Sequence, residues 1–244
     1  MADRYFVEIP IEGSQARLVG TEAHHLIHVM RGKMGDQITL FDGLGAEFLC
    51  RVDQVGRSEV GLSVISRHEV DRESSLPLTL AVALPKGDRR RWLVEKAVEL
   101  GVARLVPLET ERSNDRETSA ASVRLRQTVI EASKQCGRNR LMEIGDSVRL
   151  LDFVTDTSVD EARLVAHPGG AKCHDALGSI LQKDPALRGV SLIVGPEGGL
   201  APAELAAARA GGWRIVDLGN RILRVETAAL ALAAAVMLHA PAKS

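Results

Sequence analysis

From Gln37 onward the chain alternates apolar and polar positions in short runs. Gln37–Phe41, Glu47–Val52 and Val60–Ile65 carry the two-residue period of half-buried strands. Asp42-Gly43-Leu44-Gly45, between the first two runs, is a hairpin turn signal. Upstream, Thr21–Val29 predicts a short helix with Thr21 as its N-cap. Residues 1–70 therefore predict a small β-barrel-like unit, and the charged stretch 71–77, ending in Pro77, predicts a linker. Beyond it the pattern changes to aliphatic runs that alternate with amphipathic ones. Leu78–Leu84, Ala103–Leu108, Arg163–Ala166, Val190–Val194 and Trp213–Asp217 predict strands. Arg89–Leu100, 120–135, Pro202–Ala210 and Thr227–Leu238 predict helices; Asp88 is assigned as the cap of the first and Gly101 as its stop. Trp92 is assigned to that helix's apolar face, with Val94 and Ala97. Alternating strands and helices over 78–244 predict an α/β domain with a mainly parallel sheet.

Composition sharpens this picture. Of 244 residues 45% are hydrophobic but only 3% aromatic, so the core has to be built from Leu, Val, Ile and Ala, as suits parallel strands covered on both faces. A net charge of -1 gives no global pull towards a polyanion, and any nucleic-acid affinity has to come from local basic patches. Three cysteines far apart in the sequence, with no C-x-x-C spacing, predict reduced thiols and a cytoplasmic setting. The N-terminus carries no apolar signal region, and the apolar run Ala228–Leu238 is too short to span a bilayer.

Two motifs carry the chemistry. Leu192-Ile-Val-Gly-Pro-Glu-Gly-Gly-Leu200 and Leu218-Gly-Asn-Arg-Ile-Leu-Arg-Val-Glu-Thr-Ala228 each run from a buried strand through a glycine-bearing loop into an alanine-rich helix. Their spacing fits neither G-x-G-x-x-G nor G-x-x-x-x-G-K-[ST], which argues against a dinucleotide-binding enzyme or a kinase-like protein. Gly195 to Gly199 with Leu218 to Arg224 resembles the C-terminal signature of the trefoil-knotted SPOUT RNA methyltransferases. Within them the chain is most similar to the family that methylates N3 of a uridine in small-subunit (16S) ribosomal RNA. Three upstream segments agree in order: His24-His25-Leu26 to Val29-Met30-Arg31 and Gly35-Asp36; Lys86-Gly87-Asp88-Arg89 with Glu95-Lys96 and Glu99-Leu100-Gly101; and Gln135-Cys136-Gly137-Arg138. The resemblance implies a PUA-like RNA-binding domain over 1–70 and a trefoil-knotted SPOUT domain over 78–244. It also implies S-adenosylmethionine as methyl donor, a homodimer, and a substrate inside the small ribosomal subunit. General topology rules would never predict a knot, so the knot rests on the resemblance alone.

Ligands of open α/β sheets lie beyond the carboxyl ends of the strands. The expected cofactor site there comprises Ala166 and His167, then Gly195, Pro196, Glu197, Gly198 and Gly199, then Leu218, Gly219, Ile222, Leu223 and Thr227. Glu197 either faces the cofactor or caps the following helix. The expected catalytic pair is Arg224 and Glu226. Uridine N3 is nucleophilic only after losing its proton; a carboxylate accepts that proton, and a guanidinium stabilises the charge left on the base. Expected RNA contacts are Arg31, Lys33, Lys86, Arg89, Arg90 and Arg138, with Lys134 among the neighbouring basic residues. His24 and His28 have helical i,i+4 spacing, but no H-E-x-x-H follows, and no metal is expected. Two alternatives stay open at this point: the same chemistry on another RNA or atom (a transfer RNA base or a ribose hydroxyl), and a nonenzymatic RNA-binding assembly factor.

Overall fold

The computed structural model describes residues 3–113, 119–155, 161–181 and 187–241. The chain divides into two compact units: Met1–Arg72 with Ser133–Leu141, and Glu73–Ala132 with Met142–Ser244.

In the first unit five strands form one mixed sheet. They are β1 (Arg4–Phe6), β2 (Gln15–Val19), β3 (Gln37–Phe41), β4 (Ala46–Val55) and β5 (Glu59–Glu69), in the order β1-β3-β4-β5-β2. Only β1 and β3 run parallel. Register shifts between β4 and β5, at Leu49/Cys50 and at Val52/Gln54, bend the sheet as bulges do. Its inner face buries Leu40, Phe48, Cys50, Val52, Val60 and Leu62, the alternate positions that the period-two pattern predicted. The helix α1 (Gly20–His24) continues as a π-helical turn (His25–Val29) and adds Ala23 and Leu26 to that core. Thr21 is not the cap: Val19 is, no side chain caps the helix, and the entry is made by Gly20 at φ 60°.

Ser133–Leu141 is tied onto this sheet by polar bonds, part-buried at Arg4 and Lys134 and exposed at Arg72. Arg4 donates to Glu47 Oε2 at 2.8 Å and to Asn139 Oδ1 at 2.6 Å, while Arg72 donates to Glu47 at 3.3 Å and to the Gly137 carbonyl at 2.9 Å. Lys134 donates to both Glu22 oxygens, at 2.9 and 3.2 Å. Lys134 is therefore an internal tether and not a surface cation.

The second unit is a parallel sheet. Its strands are β6 (Leu78–Val82), β7 (Arg104–Glu109), β8 (Glu143–Ile144), β9 (Val148–Arg149), β10 (Glu161–Lys172), β11 (Gly189–Val194) and β12 (Arg214–Asp217). The order is β12-β10-β11-β6-β7-β8, with β9 also on β7, and every pairing is parallel. β11 is buried at all six positions, as a central strand under helices on both faces should be. Helices α2 (Asp88–Glu99), α3 (Ser119–Cys136), α4 (Leu150–Phe153), α5 (Cys173–Leu181), α6 (Pro202–Ala210) and α7 (Val225–His239) connect or flank these strands. Two expectations for α2 are corrected. Asp88 is its first residue and Gly87, at φ 62°, is its N-cap, with no side-chain bond. Trp92 is 46% exposed, because the buried face runs through Leu93, Val94, Ala97 and Val98 and leaves position 92 off its edge. No described helix is long and apolar enough to cross a membrane.

Candidate active site

Three strand ends build one cleft in the second unit. Beyond β11 it is lined by Gly195, Pro196, Glu197, Gly199 and Leu200, and beyond β12 by Asp217, Leu218, Gly219, Arg221, Ile222 and Leu223. From β10 come Ala166, His167 and Pro168, and from α7 Val225 and Ala228. β10 leaves the ladder with β12 after Ala166 and rejoins it at Ala171, so the residues between bulge towards the cleft.

Close packing dictates the residue types. A Cβ at Gly195 would come within 2.7 Å of Leu200 Cδ2, so any larger residue there would have to shift the Leu200 side chain beneath the loop. Gly219 sits at φ 112°, a backbone that side-chain-bearing residues avoid, with open space where a Cβ would point. Asp217 joins two loops: its Oδ2 accepts the Gly169 N–H at 2.8 Å and its Oδ1 the Gly219 N–H at 2.9 Å. These two backbone donors hold its carboxyl below the usual aspartate range. His167 Nδ1 lies 2.7 Å from the Pro168 carbonyl. That oxygen can only accept, so Nδ1 carries the proton.

The carboxylates sort by environment. Glu204 makes the helix-end contacts of α6: Oε2 accepts the Ala201 N–H at 2.7 Å and Oε1 the Glu111 N–H at 2.9 Å. Glu197, two residues before Gly199, instead accepts from Arg89 Nη1 at 3.1 Å. Glu226 is buried in the first turn of α7, its Oε2 accepts no hydrogen bond, and Arg89 Nη1 lies 3.7 Å from it. Arg89 thus stands between a loop carboxylate and a buried one.

The cleft brings together Ala166, His167, Gly195, Pro196, Glu197, Gly199, Leu218, Gly219, Ile222 and Leu223 from the predicted set. Gly198 and Thr227 stand outside its lining; the Gly198 carbonyl accepts from Arg112 at 2.7 Å, and Thr227 is exposed on α7. Ile222 is 96% exposed at the cleft mouth. Arg224 is the exposed N-cap of α7, two residues before Glu226, and among the described residues the cation beside Glu226 is Arg89. Lys86 is exposed, Arg89 and Arg90 are half-buried, and all three flank the start of α2. Arg31 and Lys33 are exposed in the first unit. Arg138, also of the first unit, is 4% exposed. Sequence reasoning passed over Asp217, although an acidic residue ending a strand beside a glycine loop was the available signal. It passed over Arg112 as well, for which the sequence offered none. Among the described residues no three His, Cys, Asp or Glu side chains converge as a metal site.

The residues suit S-adenosylmethionine. Ile222, Leu223, Val225 and Leu218 offer an apolar wall for an adenine, the open face of Gly219 admits a ligand against the main chain, and Glu197 offers a carboxylate to hydroxyls or a cation.

Comparison with known proteins gives the same direction. A family model described as an RNA methyltransferase PUA domain matches residues 18–65, and one described as an RNA methyltransferase domain matches 72–237. The chain is 31% identical over 240 residues to the ribosomal RNA small subunit methyltransferase E of Bacillus subtilis, covering 93% of each. It is 32% identical over 242 residues to the Mycobacterium bovis protein of the same name, covering 95% of this chain and 89% of that one. Among solved structures it is similar to a putative methyltransferase of Legionella pneumophila in complex with SAM, at 31% identity, 98% coverage of both chains and a TM-score of 0.88. The Neisseria gonorrhoeae ribosomal RNA small subunit methyltransferase E, bound to S-adenosyl methionine, matches at 28% identity, 98% coverage of both chains and a TM-score of 0.86. With both domain models matched in order and relatives aligned over nearly its whole length, this chain belongs to the ribosomal RNA small subunit methyltransferase E family of RNA methyltransferases.

Proposed function

We propose that this chain transfers a methyl group from S-adenosylmethionine to N3 of a uridine in small-subunit (16S) ribosomal RNA. The observation that carries the reading is the buried Glu226, which follows the cleft-lining Val225 in the first turn of α7. A buried carboxylate oxygen with no hydrogen-bond donor is rare in a native fold and asks for a partner. The N3–H of a uridine edge is such a donor, and accepting its proton is the step the reaction requires. When bound, the sulfonium supplies an activated methyl group with a built-in leaving group, so no metal is needed.

The chain's own residues do the rest. The loops at Gly195–Leu200 and Leu218–Leu223 hold the donor, with Ala166, His167, Gly198 and Thr227 at its margin, and in this reading they are also the threaded parts of the knot. Glu226 takes the N3 proton. Arg224, at the same helix start, offers a guanidinium to the carbonyl oxygens of the base as charge develops there. Arg31, Lys33, Lys86, Arg89 and Arg90 contact the RNA. We take residues 1–70 as the RNA-gripping domain, 71–77 as the linker and 78–244 as the catalytic domain. We take the working form as a cytoplasmic homodimer acting on the small subunit. Incubation with labelled S-adenosylmethionine and small subunits lacking native modification, followed by nucleoside analysis, tests the reading. Label in 3-methyluridine is the expected result. Label in a ribose-methylated nucleoside or in transfer RNA would move the assignment to another atom or RNA, and bound cofactor with no transfer to any RNA would leave an assembly factor.

A further inference from the structure

A second cleft adjoins the first. Its lining includes Lys86, Arg89, Arg90 and Arg112, with Ser113 and Ser147, and it shares Pro196 and Glu197 with the cofactor cleft as a common wall. The sheet order explains the adjacency. The first cleft opens beyond β12, β10 and β11, the second beyond β11, β6 and β7, so the β11 loop divides them. Their chemistry differs. Among the described residues of its lining, the second cleft sets four cations against the carboxylate of Glu197.

Two of those cations also grip the dividing loop. Arg89 donates to Glu197 Oε1 at 3.1 Å, and Arg112 Nη1 donates to the Gly198 carbonyl at 2.7 Å. A guanidinium carries five N–H donors in a fixed fork, so an arginine anchored through one of them is pre-oriented to grip an anion through others. Arg90 is anchored in the same manner, its Nε donating to the Pro85 carbonyl at 3.0 Å. Ser113 and Ser147 add hydroxyl donors to the lining.

We propose that this second cleft seats a backbone phosphate of the RNA strand beside the target nucleotide, with Arg112 as its principal ligand. The inference rests on the reading of the first cleft as the methyl-transfer site. A base whose N3 reaches that cleft has left its stack. Its strand must then be held next to the cleft by contacts that ignore sequence, and phosphates are what cations can hold in that way. Because Arg89 and Arg112 touch both the phosphate seat and the β11 loop, docking the strand also braces the cofactor's wall.

The test is binding of a uridine-containing single-stranded RNA oligonucleotide to the full chain over a range of KCl, for wild type, Arg112→Gln and Arg112→Lys. The expected result is weaker binding by Arg112→Gln with its log–log salt slope reduced by about 0.7, one phosphate contact. Arg112→Lys keeps the slope, and S-adenosylmethionine affinity, which the lost Gly198 bond can lower in Arg112→Gln, is read separately without RNA. An unchanged slope and affinity in Arg112→Gln overturns the seat, as does wild type that binds no RNA. A loss confined to S-adenosylmethionine affinity overturns it too, and would give the cations to the cofactor's carboxylate. Methyl transfer by wild type, measured alongside, keeps the two readings apart: transfer with an unchanged slope sinks the seat alone, and no transfer with a reduced slope sinks the reaction alone.

Discussion

Glu226 and Glu204 are equally buried, at 5% and 4% exposure, but only Glu204 has both oxygens occupied by backbone N–H donors. Glu226 Oε2 has none. Substitution separates the two. Glu226→Gln is expected to keep the fold and bind S-adenosylmethionine within a few-fold of wild type while methyl transfer falls roughly 10²–10⁴-fold, the usual worth of a general base. Glu204→Ala is expected to cost about 2 kcal/mol of stability, since it strands two backbone donors, with transfer per folded molecule little changed. Denaturant titration beside single-turnover transfer reads both. Asp217 gives a pH signature. Its folded-state carboxyl lies below the ordinary value of 3.8, so the bracing it gives the Gly169 and Gly219 loops is complete above that value. The bracing is lost as pH falls through the depressed one. Cofactor affinity is therefore expected to show no Asp217 step between neutral pH and the ordinary aspartate range. Asp217→Asn puts an amide donor opposite a backbone donor and should weaken binding roughly tenfold already at neutral pH, as calorimetry would show.

The strands and the two glycine loops were legible because local pattern governs them. β3 and α6 have their predicted ends, and β11 begins one residue earlier than the run Val190–Val194. Gly101 stops α2 as read, at φ 80° with its N–H on the Val98 carbonyl. The caps of α1 and α2 differ from the sequence pattern for a physical reason: Gly20 and Gly87 turn the backbone into these helices, leaving Thr21 and Asp88 inside them with nothing to cap. The short β1, β8, β9 and α4 carry too few residues to show a period. The place of Ser133–Leu141 in the first unit was also illegible, because it depends on partners more than sixty residues away. Glu47 is the hub of those partners. Burial alone pushes its carboxyl up, but hydrogen bonds from Arg4, Arg72 and Asn139 outweigh that and leave it below the ordinary 4.5. Its contribution is thus present above that value and is lost as pH falls through the lowered one. Glu47→Ala should destabilise the first unit by about 2 kcal/mol and raise hydrogen exchange at Gly137–Arg140, with a shallower loss of stability in acid than wild type.

Across the whole molecule, charge and chemistry are organised locally. A net charge of -1 means that affinity for RNA has to come from patches such as Lys86, Arg89, Arg90 and Arg112, which line one end of a sheet whose neighbouring loops form the candidate cofactor cleft. The sequence showed the loops of that edge, while the order of its strands, and so the sharing of the β11 loop by both clefts, came only from the three-dimensional path. The most direct measurement is reverse-transcription mapping of small-subunit RNA after incubation with the protein and S-adenosylmethionine. A methyl on N3 blocks the pairing edge of the base, so one new stop next to a single uridine, absent with Glu226→Gln, is the predicted result. Methyl transfer that leaves no stop at any uridine, or a stop of full strength with Glu226→Gln, would contradict the account.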